Sequence, residues 1–342
     1  MKRDIKELTL EELKKFLVSW NEPAFRAKQV FSWIYRKGAV SFDGMSNLPA
    51  ELKQRLNENF AVFSLEPEAA RESTDGTKKF LFKLEDKKFI EAVSIPSEKR
   101  LTGCISSQAG CKFACVFCAS GALGFKRNLS CAEILSQVLY LKNNSLQPLT
   151  HIVFMGTGEP LDNYDNVLKA VRIINSDYAF NIGARRITIS TCGIIPGIKK
   201  LAEEGLQIEL SVSLHSADNC VRDKLMPVNK KYPLKDLIPT LCQYAEATNR
   251  QVTFEYMLAK GVNSDLQSAL KLCKIIRGLN CKVNLISVNS QRELGFLPPD
   301  RECILFFRDA LIKAGIPVTV RRPRGQDIEA ACGQLRLRYE KE

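Results

Sequence analysis

Residues 111–127 read CKFACVFCASGALGFKR. Cys111, Cys115 and Cys118 stand there in a C-x3-C-x2-C spacing, followed by a glycine-bearing basic loop. Three is an awkward number of thiols. Disulfide frameworks use cysteines in pairs, and a structural zinc site takes four ligands. The residues alone leave plain buried cysteines as one reading and two metal-bound completions as the others. One completion is a zinc knuckle whose fourth ligand is remote. The other is an iron–sulfur cluster held by three thiolates, with one iron left for a small chelating molecule.

Outward from this loop the chain alternates. The β-rich runs TGCISS, HIVFM, RRITIS, QIELSVSL, VTFEYML, KVNLISV and PVTVR are separated by helix-like stretches such as CAEILSQVLYLKNN, LKDLIPTLCQYAEAT and SDLQSALKLCKIIRGL. Strand and helix in alternation predict a parallel sheet covered by helices. With about six such units, the expected class is α/β, a partial (β/α)6 TIM-like barrel with its chemistry at the carboxyl ends of the strands. The cysteine loop follows the first of these strands. Upstream, KKFLFKLEDKKFIEAVSIP (78–96) changes period. Phe80, Phe82 and Leu84 alternate with other residues, Glu85-Asp86-Lys87 allows a turn, and Phe89 to Ile95 is extended, which is a β-hairpin pattern. Residues 1–75 read as helical, with breaks at Asn21-Glu22-Pro23 and Asn47-Leu48-Pro49. Leu8, Leu10, Leu13, Phe16 and Leu17 fall near one face of the first helix. The expected organisation is a small helical accessory domain over 1–75, a β-hairpin extension over 76–100 and a core over 101–342. No internal repeat or low-complexity segment interrupts it.

Bulk properties narrow the class. A chain of 342 residues, 45% hydrophobic and 26% charged, can bury a large core and a small extra domain. No apolar run approaches a membrane span, and the N-terminus has no signal-peptide apolar core, so a cytoplasmic protein without membrane contact is expected. The net charge of +12 suits a polyanion such as nucleic acid, or a solvated lysine-rich surface. Twelve cysteines without a secretory signal point to a reducing compartment, where clustered cysteines bind metal or react.

The thiol loop, with Phe117 before its last cysteine, resembles the signature of radical S-adenosylmethionine (SAM) enzymes. The segments NEPAFRAKQVFSWIY, FIEAVSIP, CISSQAGCKFACVFCASG, MGTGEPLDNYDNV, STCGIIPGI, SLHS, RDKLMPVNKKYP and DIEAACGQL resemble, in order and over nearly the whole chain, the RlmN/Cfr family of RNA adenine methyltransferases. The resemblance implies a 4Fe–4S cluster on Cys111, Cys115 and Cys118, with SAM chelating the open iron. It implies SAM contacts from Gly158 and Glu159, which match a GGE-like motif, and from Ser190, Ser213, Leu214, His215 and Asn289 at the strand ends.

It also implies an unusual reaction. Adenine carbon-2 is no nucleophile, so direct attack on the SAM methyl group fails. A cysteine matching Cys332 is methylated first, and a second SAM gives the radical that activates its methyl group. The carbon adds to adenine, a base matching Glu91 removes the ring proton, and a thiol matching Cys104 releases the product by forming a disulfide with Cys332. The implied partners are 23S rRNA, tRNA and a flavodoxin- or ferredoxin-type electron donor, acting on a monomer. The GEP sequence and the RRPRGQDIEAACGQL block favour the RlmN type, which modifies carbon-2, over the Cfr type, which modifies carbon-8. Departures from the family pattern are Thr157, Cys192 and the short tail. Arg321, Arg322, Arg324, Arg336 and Arg338 flank Cys332, and Lys126 and Arg127 follow the thiol loop; these are expected to hold phosphates while the target base is splayed out. A zinc-stabilised RNA-binding protein without catalysis, and another kind of radical SAM enzyme, are the rival readings.

Overall fold

The computed structural model describes residues 2–122, 124–288, 295–321 and 324–328. Asn289, Cys332, Arg322, Arg336 and Arg338 lie outside them.

The chain begins with helices whose ends the sequence marks. Thr9 caps α1 (Leu10–Ser19): its hydroxyl accepts from the Glu12 amide at 3.2 Å, and the Glu12 carboxylate accepts from the Thr9 amide at 2.6 Å. Such a reciprocal cap contributes about 1 kcal/mol. It leaves Leu8 ahead of the helix, so the buried stripe of α1 is Leu13 and Leu17, with Phe16 edge-on to Phe60. After Pro23 comes α2 (Phe25–Phe31), and after Pro49 comes α3 (Ala50–Asn59), so both expected breaks coincide with proline.

One expectation fails within the N-terminal stretch. Residues 67–72, read as helical, form strand β1 (Pro67–Glu72). PEAARE has no apolar alternation, and its conformation is imposed by antiparallel pairing with β2 (Lys78–Lys83). β2 turns into β3 (Phe89–Ser97), the hairpin anticipated from the period change, and β3 pairs with β4 (Arg100–Cys104).

From β4 the sheet becomes parallel. β5 (Leu149–Phe154), β6 (Ile187–Thr191), β7 (Glu209–Ser213), β8 (Val252–Leu258), β9 (Cys281–Ser287) and β10 (Val318–Arg321) follow in spatial order, giving one ten-stranded sheet from β1 to β10. Six crossovers join the parallel strands. They carry α4 (Cys131–Asn143), α5 (Tyr164–Asn175), α6 (Ile195–Ala202), α7 (Asn219–Leu225) with α8 (Leu234–Thr248), α9 (Leu266–Ile275) and α10 (Arg301–Lys313). This is a partial α/β barrel, extended by an antiparallel hairpin.

The two faces of the sheet differ. Ile187, Ile189, Leu210, Val212, Phe254, Val283 and Leu285 are buried in the main apolar cluster beneath the helices. Strand alternation turns the intervening residues to the opposite, inner face. The register aligns Val93 with Cys104, Cys104 with Val153, Ser190 with Ser211, and Ser213 with Glu255. Glu91, two residues before Val93, shares that inner face. Beyond β10, Asp327 accepts from the Ser73 hydroxyl (2.5 Å) and the Thr74 amide (3.0 Å), while Asp75 accepts from the Gly325 amide (3.1 Å). The chain after one edge strand thus touches the turn beside the other.

Candidate active site

The thiol loop hangs over the inner face. The Val116 amide donates to the Leu225 carbonyl at the end of α7 (3.1 Å), and the Cys118 amide donates to Cys115 (3.0 Å). Phe117 packs with Met257, Ala259 and Val288 and meets the His215 ring edge-on, with centroids 4.8 Å apart. Burial pushes the Cys111 thiol up to about 12 and Cys115 higher still, with repulsion between neighbouring thiols adding to it. A bound metal centre that displaces the protons suits such a donor set. Among the described residues no three His, Cys, Asp or Glu side chains converge on one ion. Three thiols in this spacing fit a cluster, which takes one thiolate on each of three irons.

The GTGEP loop, after β5, is locked against the stretch after β4. Gly158 has φ 106°, and a Cβ there would lie 2.5 Å from the Gln108 Cβ and 2.7 Å from its amide nitrogen. Gln108 accepts from the Glu159 amide at 2.9 Å. The buried Glu159 carboxylate accepts from the amides of Leu161 (3.0 Å) and Cys192 (2.7 Å), and burial, offset by these bonds, raises its pKa. Its carboxylate thus ties the loop to the end of β6. Ser190 is half-buried there, and Ser213 occupies the equivalent end of β7. The Leu214 side chain is fully buried, so only its backbone borders the site. His215 has φ 55° and is 6% exposed; its Nδ1 accepts from the Met257 amide at 3.0 Å, which assigns the ring proton to Nε2. Burial, then the charge of Arg222, lowers its pKa to about 3, so the ring is neutral.

Glu91 and Cys104 are both buried on the antiparallel side of this face. The Lys79 ammonium lies 3.2 Å from Glu91 Oε2. The Ser106 hydroxyl donates to the Glu91 carbonyl (2.6 Å) and accepts from the Thr157 amide (2.9 Å), joining the hairpin to the GTGEP loop. Asn289 and Cys332 lie outside the described residues.

Three features escaped the sequence reading. Lys79 resembled any lysine of a charged hairpin. Ser106 was one polar residue in a strand-like run. Arg222, fully buried on α7, donates to the carbonyls of Leu214 (3.1 Å), Cys192 (2.8 Å) and Ser213 (3.3 Å) and to Asn229 (2.7 Å). It gathers the ends of β6 and β7, and no local pattern marks an arginine as buried. One expectation needs correction. Arg127, assigned to phosphate, is held by Asp86 (2.7 Å) and by both Glu133 oxygens (2.8 Å each). Two carboxylates within reach satisfy a guanidinium better than a mobile phosphate would.

A thiol triad after the first parallel strand of a partial barrel, beside a glycine-glutamate loop, defines a radical SAM enzyme. The Radical SAM superfamily model matches residues 105–273, and that of the ribosomal RNA large subunit methyltransferase N-terminal domain matches residues 3–62. Proteins from Chloroherpeton thalassium and Clostridium novyi, each named "Probable dual-specificity RNA methyltransferase RlmN", are 47% and 44% identical to this chain. The matches cover 99% and 98% of it, and 95% and 98% of those proteins. The crystal structure of a radical SAM methyltransferase from Sphaerobacter thermophilus superposes with a TM-score of 0.92 at 42% identity, covering 97% of this chain and 98% of that one. The chain belongs to the RlmN family of dual-specificity RNA methyltransferases. Membership implies SAM and a 4Fe–4S cluster as cofactors. Among the described residues no helix is long and apolar enough to cross a membrane.

Proposed function

We propose that this chain methylates carbon-2 of adenine in 23S rRNA and in tRNA, using two SAM per turnover and carrying the methyl group on Cys332 through a transient protein–RNA adduct. One observation carries the reading. Glu91 and Cys104 share the inner sheet face with Ser190 and Ser213, so a base acceptor, a second thiol and the SAM-side residues border one space. Held by Cys111, Cys115 and Cys118, the cluster would supply with SAM the one-electron cleavage that yields a 5′-deoxyadenosyl radical. Gly158, Glu159, Ser190, Ser213, His215, the backbone at Leu214, and Asn289 would seat SAM. Neutral His215 would orient through Nε2–H without adding charge. The Cys332 thiolate takes up the methyl group, and Glu91 accepts the ring proton. Once the odd electron left by radical addition has departed, for which the cluster would be the acceptor, the Cys104 thiolate attacks the Cys332 sulfur. The S–S bond forms and the S–CH2 bond breaks, its electron pair staying on the methylene of the base. A proton completes the methyl group, and thiol exchange restores both thiols.

An N-terminal helical part that grips RNA belongs to the same reading, supported by the family match over 3–62, while β1 (Pro67–Glu72) goes with the sheet. The same reading includes a cytoplasmic setting, a monomeric enzyme and a flavodoxin- or ferredoxin-type donor. The test is mass spectrometry of nucleosides from rRNA and tRNA of cells with and without the gene. Loss of 2-methyladenosine from both RNAs is expected; loss of 8-methyladenosine alone would instead make the enzyme Cfr-like. Cys332→Ala should abolish methylation, and Cys104→Ala should leave protein covalently attached to RNA. Normal product from either variant overturns the methyl-carrier scheme.

A further inference from the structure

Lys79 and Glu91 are two opposite charges buried side by side, 0% and 3% exposed, with Lys79 Nζ 3.2 Å from Glu91 Oε2. The sheet explains how they meet. Lys79 on β2 is in register with Val93 on β3, and Glu91 lies two residues before Val93. The two are therefore diagonal neighbours on one face, within reach of long side chains. Val93 is in turn in register with Cys104. Glu91 is thus diagonal to the thiol assigned to product release, and Lys79 lies two strands from it.

Stability alone does not account for such a pair. Desolvating two charges costs several kcal/mol per ion, and apolar residues of similar volume often serve as well or better. Leu81, in register with Glu91, shows that this face of β2 accepts an apolar side chain. The ammonium adds something apolar packing cannot, an ion pair to one carboxylate oxygen, which restrains the way the carboxylate plane faces. The Glu91 backbone is pinned separately by the Ser106 hydroxyl at 2.6 Å.

We infer that Lys79 is a positioning residue for Glu91, aiming its carboxylate at the ring proton of the RNA adduct. The inference rests on the reading of Glu91 as proton acceptor. The step moves one proton: the ring C–H bond breaks, its electron pair stays in the ring, and the proton passes to a Glu91 oxygen. Lys79 neither gains nor loses a proton and stays paired with the carboxyl group.

The experiment is an anaerobic single turnover of cluster-loaded enzyme, following methyl loading on Cys332 and the decay of RNA-linked protein on denaturing gels. Lys79→Met is expected to load methyl normally and to slow adduct decay about tenfold or more, part of the roughly 100-fold that a general base contributes. Lys79→Arg, which keeps the charge and its donors, should decay within about threefold of the parent. Lys79→Met decaying at the parent rate overturns the inference. If Lys79→Met fails to load methyl, Lys79→Met with Glu91→Gln buries no lone charge and replaces it. That double variant should decay no more slowly than Glu91→Gln alone, because both changes disable one device; multiplied defects overturn the inference. Normal decay in Glu91→Gln would instead sink the assignment of Glu91, a separate and distinguishable failure.

Discussion

His215 shows how one residue records its surroundings. Its ring is buried against Phe117, accepts from Met257 and faces the charge of Arg222. Its folded pKa, about 3, lies below the ordinary 6.5, so the unfolded chain binds the extra proton first. The stabilisation is fully present above pH 6.5 and is lost as pH falls toward 3. Between pH 7 and pH 5 the cluster-free protein should lose about 2 kcal/mol from this group. Urea unfolding at the two pH values measures it, and His215→Gln should flatten the difference. Half-buried His151, the only other histidine, would leave a smaller slope of the same sign. The value of His215 could be anticipated from its place at a strand end. The neutral ring could not, because burial and the Arg222 charge come from distant parts of the chain.

At the scale of elements, the hairpin β2–β3 and the seven parallel strands were legible because alternation and β-branched content are local. Helix α8 matches LKDLIPTLCQYAEAT throughout. Strand β1 was not legible, since its six residues are extended only because β2 lies beside them. The close packing of the GTGEP loop on residues 105–108 was likewise hidden, although its consequence is sharp. Gly158→Ala must move the Gln108 backbone and hold alanine at φ 106°. A loss of about 1–3 kcal/mol is expected, with weaker SAM binding by equilibrium dialysis. Gly183→Ala, where a Cβ meets nothing within 4 Å, is the matched control and should change stability by less than about 0.5 kcal/mol.

At the scale of the whole molecule, the barrel does not close through strand pairing among the described residues. β1 and β10 remain edges, and the chain ends of the sheet meet through Asp75 and Asp327. Nothing in the sequence relates residues 73–77 to residues 324–328, about 250 positions apart, so this contact could be found only in three dimensions. Burial of Asp75 is outweighed by hydrogen bonds from Thr77, Gly325 and Ser73, which hold its pKa down to about 2. Asp327→Ala should speed amide exchange across 73–77 while leaving β7 and β8 protected; equal exchange in both proteins would show that the contact contributes nothing.

A wall fastened by a handful of polar bonds behaves as a zip rather than a weld. Each bond is worth on the order of 1 kcal/mol, and water can replace it on release. The turn between β1 and β2, and the residues after β10 that it meets, therefore belong to the part of the shell that opens at least cost, while the strands bearing Glu91 and Cys104 stay laced on both sides.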